Sequence, residues 1–293
     1  MQNLNEIRQH IRAIEQTRKL TNAMYLVASS RMKRALPHVE YDRFYFHKVE
    51  AAMRDILREG GKIHHPYLED HGGERCGFII IAGDKGMAGD YNAAVLETAW
   101  KQVQAHPAPY IATVGVMASR FFQERGVQPA QEIYGLSQDP SLENARRLAA
   151  GVLDGYDEGK VDRVYLVYTA FYSTLRSHPT VRQLLPLSLS ESAEEGMGEA
   201  LEQAAPMLYH PSPKAVFDHL VPEYIISVLF ASLVQSYASE HCARMNAMQS
   251  ATDSADDMLK ALQQQYNLAR QAAITREITE ISGAAQALRP SED

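Results

Sequence analysis

The last quarter of the chain, from Pro222 to Pro290, contains no proline between those two residues and no glycine until Gly283. At about 1.5 Å per residue an unbroken helix of that extent is roughly 100 Å long, several times the usual globular helix. A domain of this size cannot enclose such a rod. Within it Met248, Ala251, Ala255, Met258, Leu262, Tyr266, Ala269 and Ala273 recur at steps of three and four, and a second stripe follows at Ile274, Ile278, Ile281, Ala285 and Leu288. Steps averaging near 3.5 keep a seam facing one partner helix and impose a left-handed supercoil. A long amphipathic core helix is the alternative. The polar remainder (Asp253, Asp256, Asp257, Lys260, Gln263 to Gln265) continues for turn after turn and favours a coiled-coil arm.

The partner strand is at the other end of the chain. Asn3 or Asn5 can cap a helix whose positions Ile7, Ile11, Ile14, Thr21, Tyr25, Ala28, Met32 and Ala35 keep the same step, with Arg18 in the one polar slot. Arg8, Arg12, Arg18, Lys19, Arg31, Lys33 and Arg34 crowd this arm against only Glu6 and Glu15. Such an imbalance faces something negative, either a partner or the acidic residues of the arm's own helical mate. Pro37 is expected to kink or break the helix, since it removes one backbone bond and clashes one turn back. The pattern resumes from Val39 to Leu57 and stops at Gly60 and Gly61.

Residues 64–75 shift to His, Pro, Gly and acidic side chains and read as a linker. His64, His65 and His71 lack any helical i, i+4 or cysteine framework for a metal, so a solvated loop is expected. Strand and helix then alternate: strands at 77–82 (GFIIIA), 110–116, 162–170 and, more weakly, 181–187; helices at 93–104, 119–125 and 140–156. Alternation of this kind implies a mainly parallel sheet with helices on both faces. Residues 188–205 are small and acidic and read as a loop. The chain thus divides into an N-terminal coiled-coil helix (1–58), a linker (59–75), an α/β domain (76–208) and a C-terminal coiled-coil helix (209–293).

In such a sheet chemistry is sought at the turn after the first strand, here Gly83 to Asn92. This turn has neither GxGxxG spacing nor a GK[ST] ending, and it carries Asp84 and Asp90 where an anion would sit. No Ser/His/Asp set, carboxylate pair or HExxH is recognisable elsewhere, so neither a catalytic residue nor a cofactor nor a metal is expected. A net charge of -7 argues against a nucleic-acid partner, which calls for a basic face. No long uncharged apolar run is evident and Met1 to Leu20 is studded with charge, so a membrane is expected to be reached only through a partner. Cys76 and Cys242 match no metal spacing and are expected to be free thiols in the cytoplasm.

Three stretches carry a family resemblance: IRQHIRAIEQTRKLTNAMYLVASSRMKRA (Ile7 to Ala35), AGDKGMAGDYN (Ala82 to Asn92), and the run from Tyr237 to Leu288. They resemble the gamma-subunit family of the rotary F-type ATP synthases, whereas the middle from about Lys101 to Leu208 matches in layout only. The resemblance implies a Rossmann-like α/β domain inserted in a long antiparallel coiled coil that acts as a non-catalytic central shaft. Its implied partners are the alpha and beta subunits around the coiled coil, with the epsilon subunit and the membrane ring of c subunits at its base. The implied location is peripheral, on the cytoplasmic face of the energy-transducing membrane. The family's subunit-contact positions carry over onto Lys19, Met24, Arg244, Gln271, Thr275 and Glu277. Ser254 stands where the family usually has asparagine, Arg276 where glutamine is commoner, and Asp90 in place of the second glycine of a pair, which would loosen that turn. Two other readings predict different behaviour. An α/β enzyme using the Gly83 to Gly89 turn would bind nucleotide alone, and a free-standing coiled-coil adaptor would form a stable homodimer.

Overall fold

A computed structural model describes residues 4–59, 63–69, 71–187 and 209–287. The elements are helices α1 (Leu4–Glu59), α2 (Tyr91–Gln104), α3 (Val116–Gln123), α4 (Leu142–Asp157) and α5 (Pro213–Ala287), and strands β1 (Cys76–Ile81), β2 (Tyr110–Val114), β3 (Gln131–Ile133), β4 (Arg163–Ser173) and β5 (Arg176–Leu185). They form two compact units, Ala28–Arg244 and Met1–Val27 with Met245–Asp293, and α1 and α5 contribute to both.

The larger unit is built on a five-stranded sheet of order β3-β2-β1-β4-β5. β1, β2, β3 and β4 pair in parallel, and β5 returns antiparallel along β4. β1 (CGFIII) is buried at every position because both its faces are covered. Its residues alternate between two cores, as the two-residue strand period requires. Cys76, Phe78 and Ile80 pack with Val95, Leu96 and Ala99 of α2 and Phe122 of α3. Ile79 and Ile81 face Leu148 and Val152 of α4, Met53 and Ile56 of α1, and Val221, Ile225 and Leu229 of α5. By length and composition α5 has an 18-residue window apolar enough to cross a membrane, and half of that window is buried inside the protein. This is the behaviour of a core helix covering a sheet.

The structure corrects several sequence expectations. α1 continues as one helix through Pro37 instead of breaking there. Buried Met32, Ala35 and Val39 flank the proline, and packing on both sides offsets the roughly 3 kcal/mol that an interior proline costs. α5 starts at Pro213, well before Pro222, because Ser212 caps it and proline at the first helical position costs nothing: the Ala215 amide donates to Ser212 Oγ at 3.2 Å. The weak strand expected at 181–187 is a longer antiparallel edge strand, and its edge position is what tolerates Pro179. β3 and the 3-10 turn Pro66–Leu68 were not expected.

In the smaller unit α1 and α5 run antiparallel. The Thr21 and Thr252 hydroxyls bond at 2.7 Å, Arg18 Nε meets Asp256 at 3.0 Å, and Arg8 Nη2 donates to the Tyr266 hydroxyl at 2.6 Å. Each step back along α1 is matched by a step forward along α5, which fixes one register. Ile7, Thr21, Met248 and Ala255 are buried in this seam, whereas Met258, expected in it, is exposed. The basic face of α1 is therefore answered in part by its own mate, through Asp256. From Gln271 to Ala284 every residue of α5 is exposed, Ile274, Ile278 and Ile281 included. The side chain of Ala285, and Leu288, lie outside the described residues.

Candidate functional site

In parallel sheets of this class ligands bind outside the carboxyl ends of the strands, where the strand order reverses. Here that point lies between β1 and β4, and the chain's own side chains fill it. The Gly83 amide donates to Asn92 Oδ1 at 2.8 Å, and Asn92 Nδ2 donates to the Lys85 carbonyl at 3.2 Å, so Asn92 ties the turn to the first turn of α2. Asp84 reaches across to α3 and accepts from the Val116 amide at 3.0 Å, from Ser137 Oγ at 2.7 Å and from Gln138 Nε2 at 3.0 Å. A helix N-terminus attracts an anion through its free amides. In α3 a carboxylate of the same chain already occupies that place.

Left-handed backbone falls on Met87 (φ 60°) and Gly89 (φ 57°), while Asp90 sits at φ -89°, ψ 0°, which any residue adopts. The aspartate that stands in place of a family glycine therefore leaves the turn unstrained at that position. Gly115 is different. It joins β2 to α3 beneath this turn at φ 95°, and a Cβ there would stand 2.2 Å from the Ala82 carbonyl oxygen.

α5 closes the site from the side. Its buried face runs Val221, Ile225, Leu229, Leu233, Ser236, Glu240 and Arg244, so the helical period that covers the sheet delivers a carboxylate and a guanidinium to the end of β1. Glu240 Oε1 accepts from Arg244 Nη2 at 2.7 Å, and the two side chains are only 8 % and 10 % exposed. The same Nη2 lies 3.4 Å from the Lys85 carbonyl and 3.2 Å from the Gly86 carbonyl, and Arg244 Nη1 lies 3.2 Å from His241 Nδ1. Neutral imidazole accepts that bond. Burial first, then the charges of Arg244 and Arg31, push His241 down to about 3. Burial also raises the Glu240 carboxyl above its usual range, against the opposing pull of Arg244. Tyr91 is buried beside Glu240, and desolvation first, then the Glu240 charge, raises its pKa too. Ser239 Oγ donates to the Thr169 carbonyl of β4 at 3.4 Å, and Cys242 Sγ to the Thr174 carbonyl in the turn after it at 3.0 Å. Cys76 and Cys242 are both buried, and neither is in a disulfide.

His241 gives the folded chain a pH dependence. Its pKa is lower folded than unfolded, so between its ordinary value of 6.5 and about 3 the unfolded chain binds the extra proton, and stability falls as pH falls. Thermal melts from pH 7 to pH 5 are expected to show a declining midpoint, and His241→Gln to reduce that slope; an unchanged slope would contradict the buried neutral imidazole.

The six positions carried over from the family resemblance do not form one cluster. Lys19 is exposed and Met24 half-buried on α1, opposite the Thr252 to Asp256 part of α5. Gln271, Thr275 and Glu277 are exposed further along α5, more than about 20 Å away at the helical rise. Arg244 belongs to the larger unit and is buried. Sequence reasoning missed Glu240 and the role of Asp84. The first was readable, since Glu240 and Arg244 are four apart, the spacing of a helical ion pair, in line with an apolar face.

The ATP synthase family model matches residues 3–288. The chain is 37 % identical over 286 residues to the ATP synthase gamma chain of Alkaliphilus metalliredigens, covering 98 % of this chain and 99 % of that one. It is 33 % identical to the gamma chain of Acetobacterium woodii, named as sodium ion specific, over 98 % of this chain and 99 % of the relative. Among solved structures, a chain of the Euglena gracilis mitochondrial ATP synthase (OSCP/F1/c-ring) superposes with a TM-score of 0.68 at 16 % identity, covering 99 % of this chain and 98 % of that one, a likeness of fold. A chain from the central stalk and c-ring of the Tetrahymena thermophila enzyme gives 0.59 at 21 % identity, over 79 % of this chain and 99 % of the other. With a family match along nearly its whole length and relatives above 30 % identity covered end to end, the chain belongs to the ATP synthase gamma-chain family.

Proposed function

We propose that this chain is the non-catalytic central shaft of an F-type ATP synthase, coupling ion-driven rotation of a membrane ring to ATP synthesis or hydrolysis in a ring of alpha and beta subunits. The observation that carries the reading is the antiparallel seam of α1 and α5, fixed in register by the Thr21–Thr252, Arg18–Asp256 and Arg8–Tyr266 contacts, with exposed α5 beyond it. Two supercoiled helices are stiff along their axis and unequal in cross-section. Turning them presents different surfaces to otherwise equivalent neighbours, and each orientation stabilises one state of a neighbour. That coupling is reciprocal, so hydrolysis can equally turn the shaft. The c ring and the epsilon subunit are partners at the base, and the cytoplasmic face of the membrane is reached through the ring.

Occupation of the strand-end site by Asp84 and Glu240 disfavours the nucleotide-binding alternative. Equilibrium dialysis of the chain with ATP is expected to return no binding. Lys19, Met24, Arg244, Gln271, Thr275 and Glu277 are the subunit-contact positions in this reading. Ile274, Ile278 and Ile281 make an exposed apolar stripe suited to a sleeve of partner surface without strong directional bonds. Deleting residues 282–293 is expected to lower assembly yield with alpha and beta subunits more than turnover per complex, and Gln271→Ala to lower turnover several-fold with assembly intact. Assembly by gel filtration and ATPase rate on both variants decide it. The opposite pattern would put the contacts at the wrong height.

A further inference from the structure

The family resemblance casts Arg244 as a residue that touches a partner, yet its guanidinium is turned inward. One nitrogen serves Glu240, the Lys85 carbonyl and the Gly86 carbonyl, and the other faces His241 Nδ1. The exposed face of this cluster is the turn itself. Lys85 is exposed, and Met87 is 62 % exposed although a large apolar side chain gains nothing in water. Met87 also holds a left-handed backbone, which a residue with a Cβ adopts only where its surroundings impose it. The imposing contacts converge on the two residues before it: Asn92 Nδ2 and Arg244 Nη2 both donate to the Lys85 carbonyl, and Arg244 also donates to Gly86. Arg244 in turn is aimed by Glu240, whose buried carboxylate lies against Gly83 at the start of the same turn, closely enough that a Cβ on Gly83 would stand 3.1 Å from Glu240 Cδ.

We propose that Glu240 is a positioning residue: through Arg244 it clamps the Lys85–Met87 turn into one shape, and that shape, more than the Arg244 charge, is what this level of the chain presents to its neighbours. A carboxylate that merely neutralised a buried guanidinium would need no contact with the turn. Here the ion pair and the turn share one nitrogen. Loss of the carboxylate frees Arg244 to leave both carbonyls, and the turn then relaxes from the left-handed conformation at Met87. The clamp stands on intrachain contacts alone; its consequence in a complex rests on the shaft reading.

Trypsin reads the clamp directly, because cleavage after Lys85 needs the carbonyl that Arg244 holds. The full-length chain is tested as wild type, as Glu240→Gln, which keeps the shape and removes the charge, and as Arg244→Lys, which keeps a charge for Glu240 but cannot span two carbonyls. Cleavage after Arg125, an exposed turn residue bonded to the Phe121 carbonyl, reports general loosening. Both variants are expected to be cut after Lys85 about tenfold faster than wild type with the Arg125 rate unchanged, as for a local opening that loses its holding contacts. Equal rates at Lys85, or parallel rises at both sites, would overturn the clamp. In complexes with alpha and beta subunits, Glu240→Gln is expected to lower the ATPase rate about as much as Arg244→Lys. A Glu240→Gln chain that is cut faster yet supports full turnover would overturn its positioning role while leaving the shaft reading intact. Failure of the wild-type chain to assemble with alpha and beta subunits would count against the shaft reading alone.

Discussion

Arg244→Ala is expected to destabilise the larger unit by about 3 kcal/mol and to cut turnover in the assembled complex by more than tenfold. Removing the guanidinium leaves a buried carboxylate without its charge partner, one of the costlier single changes in a folded chain. The carboxyl can escape part of the penalty by taking up a proton, since burial already raises its pKa, and this keeps the expected loss at the lower end of the range for broken buried pairs. The escape has a sign that can be tested. A neutral Glu240 is favoured at lower pH, so the gap between variant and wild type should narrow from pH 8 to pH 5. Chemical denaturation at both values measures it. A gap below about 1 kcal/mol at pH 8 would mean that the guanidinium is solvated and that the observed contacts do not hold it.

Gly115→Ala is expected to cost roughly 4 kcal/mol and to abolish assembly at elevated temperature. Two penalties coincide at this residue. Its φ of 95° lies where a Cβ is strained whatever the space, and that Cβ would stand 2.2 Å from the Ala82 carbonyl oxygen, which belongs to backbone and cannot rotate away. The Gly115 amide also donates to the Ile133 carbonyl at 2.9 Å, so moving the residue to relieve the clash loosens β3 from β2. Gly135→Ala is the comparison: it has φ of 82° but open space around a Cβ, so it should cost only the backbone term of about 1 kcal/mol. Equal losses at the two positions would show that the close approach of β1 and β2 ends is not maintained.

The long helices were legible because period and length are written directly into the sequence: Ile7 and Thr21 on one arm, Met248 and Ala255 on the other, recur at seam spacing and are buried. β1 and β4 were legible as apolar runs. The rest depended on contacts distant in sequence. β3 (QEI) has no apolar run to announce it and exists because β2 offers an edge. β5 is antiparallel because a tight reversal follows β4 at Thr174, and no local pattern distinguishes that from a crossover. Local cost alone marks Pro37 as a kink or break, yet it sits inside one helix, as Pro222 does, each flanked by buried residues such as Val39 and Val221. At the strand-end site the sequence showed what the turn lacks for phosphate binding. It did not show that Asp84 and Glu240 take up the amides and the space, because Val116 and Ser137 are distant in the chain from Asp84.

Rotation of the chain can be observed at the exposed tip of the β4–β5 hairpin. Leu175 is 96 % exposed, and both native cysteines are buried with thiol pKa values raised by desolvation, so a Leu175→Cys chain can be labelled at one site. The measurement is ATP-driven motion of a bead attached there, with the chain assembled into an immobilised ring of alpha and beta subunits. Rotation in one direction that stops when ATP is withdrawn is the expected result. Steady ATP hydrolysis by the same complexes with the bead stationary would contradict it.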